Sequence, residues 1–302
     1  MSQTTDRYFE TQQMMGRLLR EVDDQTGAGR PAPTRRLVLR GMSLSLLPAL
    51  PGRGARAAAA VAPVRIVFDV FENAPLICGN GTAIDPVKPG LTIQLLHMAS
   101  ERANVPITLT RTPWQRGLYL IQTGQADAIF AASYVTSRLA YGVYPMKDGS
   151  PDPGRRIFTQ SYRLYVRAGS GIQWDGKTLT NLHGPVGATP GYAVVPVLRA
   201  MGVTVDPEPD HLDNLHKLLA GHLDAYAELE NHIRPILSAN SAEFGSITEL
   251  SPPVLTQPYY LMFSKIFYTG TPAVAEQLWD AIGAVHASPA YQDLLHSNHS
   301  GC

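Results

Sequence analysis

The sequence predicts an α/β fold made of two similar halves, in which helices connect mostly parallel strands. In residues 64–133, short runs rich in β-branched residues alternate with amphipathic helical segments. This order implies right-handed crossovers onto a parallel sheet. The second half repeats part of the pattern, because residues 120–128 and 218–225 both lead from apolar residues through Gly-x-x-Asp-Ala into an apolar run. The repeat indicates that one kind of unit is built twice.

The first elements follow from local pattern. VRIVFDV at residues 64–70 predicts a strand that ends near Asp69, and FENAP predicts a loop that contains Asn73. After Gly90, apolar residues share one face of a helix of about three turns. Alternation in residues 107–111 predicts the next strand.

Residues 113–138 carry the most informative pattern. Trp114 opens a short amphipathic helix, and Gly124 stands where a left-handed residue would end it. DAIFAA predicts a strand covered on both faces, and a polar loop follows with Ser133 at its start and Arg138 at its end. Ligands of open α/β sheets bind beyond the carboxyl ends of strands, and a guanidinium group pairs well with a carboxylate. The loop therefore predicts an anion-binding site.

In this order the features resemble the periplasmic solute-binding proteins of the polar amino acid type, family 3. That family combines an aromatic residue at a helix start, a Gly-x-x-Asp turn into a strand, and a Ser/Thr-rich loop ending in arginine. Trp114, Gly124, Asp127, Ser133 and Arg138 match the pattern here. The resemblance covers about residues 64–295.

The resemblance implies the type II periplasmic-binding-protein fold: two lobes, each a mostly parallel sheet flanked by helices, joined by two hinge crossings. Residues 61–160 and 259–302 would form lobe one and residues 161–258 lobe two, with residues 1–60 as a leader. No cofactor is expected. The chain contains nine histidines, but they form no recognised metal-binding motif. HExxH and CxxC are absent, and His211, His216 and His222 are not spaced to lie on one helix face.

The resemblance also implies roles for individual residues. Arg138 and Ser133 would hold a ligand carboxylate, Trp114 would form an apolar wall, and Tyr192 would close over the ligand from lobe two. Asp69 matches the aspartate at the end of the family's first strand, and Asn73 replaces the aromatic residue usual in the loop that follows; both are added to the expected site. The position where the family usually has an ammonium-binding aspartate is occupied by Leu229 here. Glu228 or Glu230 would therefore have to bind a positive group of the ligand.

The first 60 residues read as an export leader. They contain nine arginines, no lysine and five acidic residues, so the remaining chain is mildly acidic and gives no reason to expect nucleic acid as a partner. TRRLVLR at residues 34–40 resembles the twin-arginine motif, and a short apolar segment and an alanine-rich cleavage region follow. No cysteine follows the apolar segment, so no lipid attachment is expected. Cys78 and Cys302, the only cysteines, leave a disulfide open.

Together these features predict a monomeric periplasmic protein that binds a small carboxylate-bearing solute, such as an amino acid or related organic acid. Its partners would be an inner-membrane ABC permease and the twin-arginine export machinery. Two alternatives stay open: an enzyme on the same scaffold, similar to the periplasmic cyclohexadienyl dehydratases, and a ligand-loaded partner of a membrane sensor.

Overall fold

The computed structural model describes residues 62–297 and Cys302; the leader prediction falls outside these residues. The described helices flank the sheet: α1 (Leu91–Ala103), α2 (Trp114–Gln122), α3 (Val194–Ala200), α4 (His211–Leu219), α5 (Glu230–Ala239), α6 (Ser241–Phe244), α7 (Lys265–Gly270), α8 (Pro272–His286) and α9 (Pro289–Ser297). Residues with helical spacing in the sequence form their buried faces. Leu95 of α1 and Ile121 of α2, for example, are fully buried.

Within residues 62–297, nine strands form one continuous sheet: β1 (Val64–Phe68), β2 (Ile107–Arg111), β3 (Ala128–Ser133), β4 (Gly142–Val143), β7 (Phe158–Arg167), β10 (Val186–Ala188), β11 (Val205–Pro207), β12 (Ala225–Leu229) and β13 (Ile247–Ser264). Two short hairpins lie apart from it, formed by β5 (Met146–Lys147) with β6 (Ser150–Pro151) and by β8 (Gln173–Trp174) with β9 (Leu179–Thr180).

The sheet contains two parallel groups of three strands. In one, β1 lies between β2 and β3; in the other, β10 lies between β11 and β12. The long strands β7 and β13 run antiparallel between the groups and connect them. This arrangement confirms the predicted two-lobe α/β fold class, while the lobe boundaries at residues 160 and 258 stay predictions.

The repeated Gly-x-x-Asp turns serve the same purpose in both groups. Asp127 accepts hydrogen bonds from the Arg65 backbone N–H at 2.8 Å and from its guanidinium Nε at 3.0 Å. Asp224 accepts from the backbone N–H groups of His183 and Gly184 at 2.5 and 2.6 Å. Each aspartate thus fastens the end of a helix–strand turn to the chain entering the neighbouring parallel strand.

The strand β13 crosses between the two parallel groups and contains three prolines. The prolines of residues 252–258 predict a break before the final strand, yet β13 continues through them as one strand of 18 residues. Its pairing with β7 shifts register between Leu250 and Leu255 instead. Proline has no N–H to donate, and a bulge at an irregular position accommodates it within a sheet.

The cysteine question left open by the sequence is answered by the fold. Cys78 and Cys302 form a disulfide, with their Cα atoms 5.3 Å apart across a separation of 224 residues. Buried Arg111 donates to the Cys78 carbonyl at 2.8 Å, so the loop that carries this cysteine is also fixed from β2. Within residues 62–297, no helix combines the length and apolar character needed to cross a membrane.

Candidate ligand-binding site

A small cavity lies beyond the carboxyl ends of β1 and β3, where the two parallel groups face each other. Its volume is about 30 Å³. Six of the eight residues predicted to bind ligand line it: Asp69, Asn73, Trp114, Ser133, Arg138 and Tyr192. Tyr192 comes from the segment before α3 and the others from the first group. The structure therefore brings these six residues together, as expected from their positions at strand ends.

Arg138 is a buried cation in this cavity wall, with 4% of its surface exposed. Its Nη1 donates to the Ser133 carbonyl and its Nη2 to the Gly191 carbonyl, both at 2.7 Å. The guanidinium carbon lies 5.2 Å from the centroid of the Trp114 ring. No acidic side chain of residues 62–297 forms an ion pair with it. A carboxylate would therefore be a stronger partner than the two carbonyls it now contacts.

Asp69 supplies a negative group to the same cavity and contacts the opposite lobe. Tyr192 donates its hydroxyl to Asp69 Oδ2 at 2.7 Å, and the Val70 N–H donates to Oδ1 at 2.7 Å. Burial raises the pKa of the Asp69 carboxyl, and these hydrogen bonds only partly oppose that shift. Burial also raises the pKa of the Tyr192 phenol, so it remains a donor.

Asn73 pairs with a residue that sequence reasoning missed. Asn73 and Gln160 exchange two amide hydrogen bonds, of 3.0 and 2.7 Å, and both side chains are buried. Gln160 lies on β7, two residues after that strand begins. Only the pairing of the strands shows that this residue faces the cavity.

The cavity is too small for an amino acid, since one water molecule needs roughly 10–15 Å³ on the same measure and ligand sites usually span hundreds. Two larger clefts flank it, of about 410 and 370 Å³. Phe71 and His211 line the first, while Arg138, Gly191 and Tyr192 line the second. Ligand entry therefore requires the contacts of Gly191 and Tyr192 with lobe one to open.

Glu228 does not line the cavity, although it lies nearby. It is fully buried on β12, and it accepts hydrogen bonds from the Thr189 hydroxyl and the Leu229 N–H, both at 2.7 Å. Burial alone would raise the pKa of its carboxyl, but nearby histidines and the amide outweigh burial, and the pKa lies below its usual value. Successive side chains of a strand point to opposite faces, so Leu229, the next residue, lines the cavity instead.

Glu230 is a correction to the predicted site. It begins α5 and forms ion pairs with Arg163 at 3.0 Å and Arg234 at 3.1 Å. Its carboxylate is therefore held by two arginines outside the cavity. No sequence pattern separates it from Glu228, because the strand ends and the helix begins between them.

The structure also revises the expectation about histidines. His211 and His232, 21 positions apart in the chain, flank Glu228, and one ligand atom from each of the three residues lies within 4.8 Å of the others. The spacing argument considered only histidines of one segment and so missed His232. The available signal was its position four residues after Glu228, across the start of α5.

The chain matches no protein-family model and no curated protein sequence. Solved structures do match. A histidine kinase sensor domain with similarity to periplasmic binding proteins has a TM-score of 0.62 at 14% identity, covering 80% of this chain and 97% of that one. The arginine-, lysine-, histidine-binding protein ArtJ from Geobacillus stearothermophilus has a TM-score of 0.59 at 15% identity, covering 79% and 95%.

A third similar structure is the GluR0 ligand-binding core from Nostoc punctiforme in complex with L-glutamate. Its TM-score is 0.58 at 16% identity, and the match covers 78% of this chain and 99% of that one. At such identities the likeness shows the fold alone, and it confirms the predicted two-lobe periplasmic-binding-protein fold.

Proposed function

We propose that this chain is a periplasmic binding protein for a small carboxylate-bearing solute, an amino acid or related organic acid, which it delivers to an inner-membrane ABC permease. The fold supports the class of protein, and solved structures similar to it include binding proteins for amino acids. The site supports the class of ligand.

One observation carries the ligand class. Arg138 is buried, lines the cavity and has only carbonyl oxygens as hydrogen-bond partners. Burying a guanidinium group without an anionic partner costs free energy, which a ligand carboxylate would recover. Ser133 ends β3 beside it, and the Trp114 ring covers its face.

Asp69 favours a ligand that also carries a positive group. Its carboxyl group lines the cavity, while Glu228 and Glu230, the two residues that the sequence suggested for this role, do not. An ammonium group that replaced the Tyr192 hydroxyl on Asp69 would bring a full positive charge to this carboxylate, which a neutral hydroxyl does not. We therefore infer that Asp69 takes the role for which Leu229 is unsuited.

Binding would proceed by hinge motion at the crossings near residues 160 and 258. The present closed arrangement is held by Gly191 and Tyr192, which contact Arg138, Trp114 and Asp69. The ligand would replace these contacts with its own carboxylate and ammonium groups. It would then shift the open–closed population by its differential affinity for the two arrangements.

Calorimetry of Arg138→Ala tests the proposal. A thermal-shift screen against amino acids, organic acids and aromatic acids first identifies a ligand; ligand at 100 times its Kd adds about 2.7 kcal/mol of stability. Arg138→Ala should then lose binding and remain folded. Arg116→Ala, an exposed arginine on α2, is the matched control and should bind as wild type does. Binding by Arg138→Ala within a few-fold of wild type would refute the assigned role.

We further propose export through the twin-arginine route, as a monomer. TRRLVLR at residues 34–40 supports this route. Replacing Arg35 and Arg36 by lysine should leave the protein in the cytoplasm, as cell fractionation would show. Unchanged export of the double variant would point to another route.

Two other functions are compatible with the fold. A dehydratase would need a cavity acid for proton transfer; Glu228 does not line the cavity, whereas Asp69 does, and burial raises the pKa of its carboxyl group. A sensor-domain role is suggested by the similarity to a histidine kinase sensor domain. Loss of the ligand with appearance of a product would favour the enzyme, and a neighbouring permease and ATPase gene pair would favour transport.

A further inference from the structure

The cluster of His211, Glu228 and His232 behind the cavity is a buried set of metal-ligating side chains. Their exposures are 5%, 0% and 6%. His211 begins α4, Glu228 lies on β12, and His232 lies in the first turn of α5. All three come from the second half of the chain, so the cluster does not depend on lobe closure.

The charge of Glu228 has no cationic partner of the usual kind. Its hydrogen bonds come from the Thr189 hydroxyl, the Tyr226 hydroxyl and a backbone N–H. No lysine or arginine within residues 62–297 forms an ion pair with it. A buried carboxylate without a counter-ion is costly, and a bound cation would supply the missing positive charge.

The two histidines also have free ring nitrogens. His211 Nε2 and His232 Nδ1 are buried and have no hydrogen-bond partner in the described part of the chain. Buried polar atoms are nearly always paired, so the unpaired His232 Nδ1 beside the Glu228 carboxylate points to a missing partner, while the His211 nitrogen nearer to Glu228 is Nδ1. His232 Nδ1 lies 3.4 Å from Glu228 Oε1, but not in hydrogen-bonding geometry.

The spacing suits a transition metal. Tetrahedral Zn²⁺ with bonds of about 2.0–2.1 Å holds its ligand atoms roughly 3.3 Å apart. The His232–Glu228 distance already meets this value, while His211 Nδ1 lies 4.0 Å from Glu228 Oε2. His211 Nδ1 also contacts the Tyr226 hydroxyl at 2.8 Å, a partner it would exchange for the metal. Rotation of the His211 side chain would close the remaining gap.

We propose that His211, Glu228 and His232 bind one divalent transition-metal ion of the zinc class. Two imidazoles and a carboxylate are ligands that Zn²⁺ accepts, and three protein ligands leave one position for water or a solute group. His211 lines the 410 Å³ cleft, which gives an ion a path from solvent, and Phe71 packs on its ring at 4.3 Å between centroids. His232 also lines the cavity of the proposed solute site, so the metal site would adjoin that cavity, but the Zn²⁺ test below needs no solute.

The test is Zn²⁺ binding by the full chain, purified without a polyhistidine tag and stripped with a chelator. Competition with a chromogenic chelator should give one Zn²⁺ per chain, with no binding of Mg²⁺ or Ca²⁺, which prefer oxygen ligands. His211→Gln, His232→Gln and Glu228→Gln should each weaken Zn²⁺ binding at least about 100-fold, since even residues that only orient a ligand contribute 10–100-fold.

His216→Gln is the matched control, because His216 also lies on α4 but is exposed and contacts Glu243. It should bind Zn²⁺ as wild type does. Circular dichroism checks that each variant is folded. If the cluster variants do not fold, the visible spectrum of Co²⁺ added to the wild-type chain decides the question. A four-coordinate nitrogen–oxygen spectrum supports the site. A spectrum of hydrated Co²⁺ alone, or Zn²⁺ binding that the folded cluster variants retain, overturns it.

Discussion

At the scale of single residues, the candidate site is organised by two buried charges of opposite sign. Within residues 62–297, Arg138 donates hydrogen bonds only to carbonyl oxygens. Asp69 accepts hydrogen bonds from the Tyr192 hydroxyl and from the N–H of Val70. In the closed arrangement each charged side chain has hydrogen bonds to neutral groups. An oppositely charged ligand group would bind each of them more strongly. A ligand with both charges would therefore bind Arg138 and Asp69 more favourably than Gly191 and Tyr192 do.

Tyr192→Phe tests the Asp69 contact by its pH dependence. Burial raises the folded pKa of Asp69 above its unfolded value, so folding favours the protonated form and this contribution is lost as pH rises through the folded pKa. Removing the hydroxyl raises that pKa further. We expect Tyr192→Phe to lose about 1 kcal/mol near pH 4 and roughly 1.5–3 kcal/mol at pH 7, where the lost bond is to a charged group.

Urea unfolding of wild type and variant at both pH values gives the measurement. Tyr291→Phe is the control, because Tyr291 is equally buried but donates to the Leu91 carbonyl, at 3.3 Å. Its effect should not change with pH. An equal loss for Tyr192→Phe at the two pH values would show that the Asp69 carboxylate is not its partner.

At the scale of elements, the turn before α3 carries the contacts between the halves. Gly191 lies in this turn with φ of +78°, and its carbonyl accepts from both Arg138 and Trp114. A Cβ atom at this position would lie 2.6 Å from Gln115 Nε2 and 3.2 Å from Leu118 Cδ1. Glycine is required here both by the backbone conformation and by the close approach of α2.

Gly191→Ala should therefore destabilise the closed arrangement. We expect a loss of about 1–2 kcal/mol from the left-handed backbone, together with displacement of the turn from α2. Gly202→Ala is a matched control, because Gly202 has the same φ of +78° and nothing within 4 Å of its Cβ position. Small-angle scattering should show a more open molecule for Gly191→Ala only. Equal scattering profiles for the two variants would mean that this turn does not hold the lobes together.

At the scale of the whole molecule, the disulfide closes the chain upon itself. Cys78 follows β1 and Cys302 is the last residue of the sequence, so the bond restricts nearly the entire described chain in the unfolded state. A cross-link of this length stabilises a protein chiefly by lowering the entropy of the unfolded chain. Its formation fits the oxidising compartment proposed for the protein.

Cys302→Ser should lower the free energy of unfolding by roughly 2–5 kcal/mol. Denaturant titrations with and without a reductant measure this. Wild type should lose stability on reduction, whereas the variant should not respond. Two reactive thiols in unreduced, denatured wild type would contradict the disulfide.

The sequence by itself determined the elements and their order. Apolar spacing placed the helices after Gly90 and at Trp114, and alternation placed the strand at residues 107–111, because these patterns reflect which face of a single element is buried. The repeat of Gly-x-x-Asp-Ala also identified the two similar halves, since each aspartate closes a local turn. The rule that ligands bind at strand ends pointed to Ser133 and Arg138, whereas Trp114 and Tyr192 came from the family resemblance.

The tertiary structure alone decided which side chains share the interior. Glu230 lies outside the cavity because it forms ion pairs with two arginines. Gln160 lines the cavity because it forms hydrogen bonds with Asn73, 87 positions away in the chain. His232 lies close to His211 because both flank Glu228 on β12. The continuation of β13 through its prolines likewise depends on β7 as a partner. Such outcomes rest on contacts between distant segments, which no pattern within one segment records.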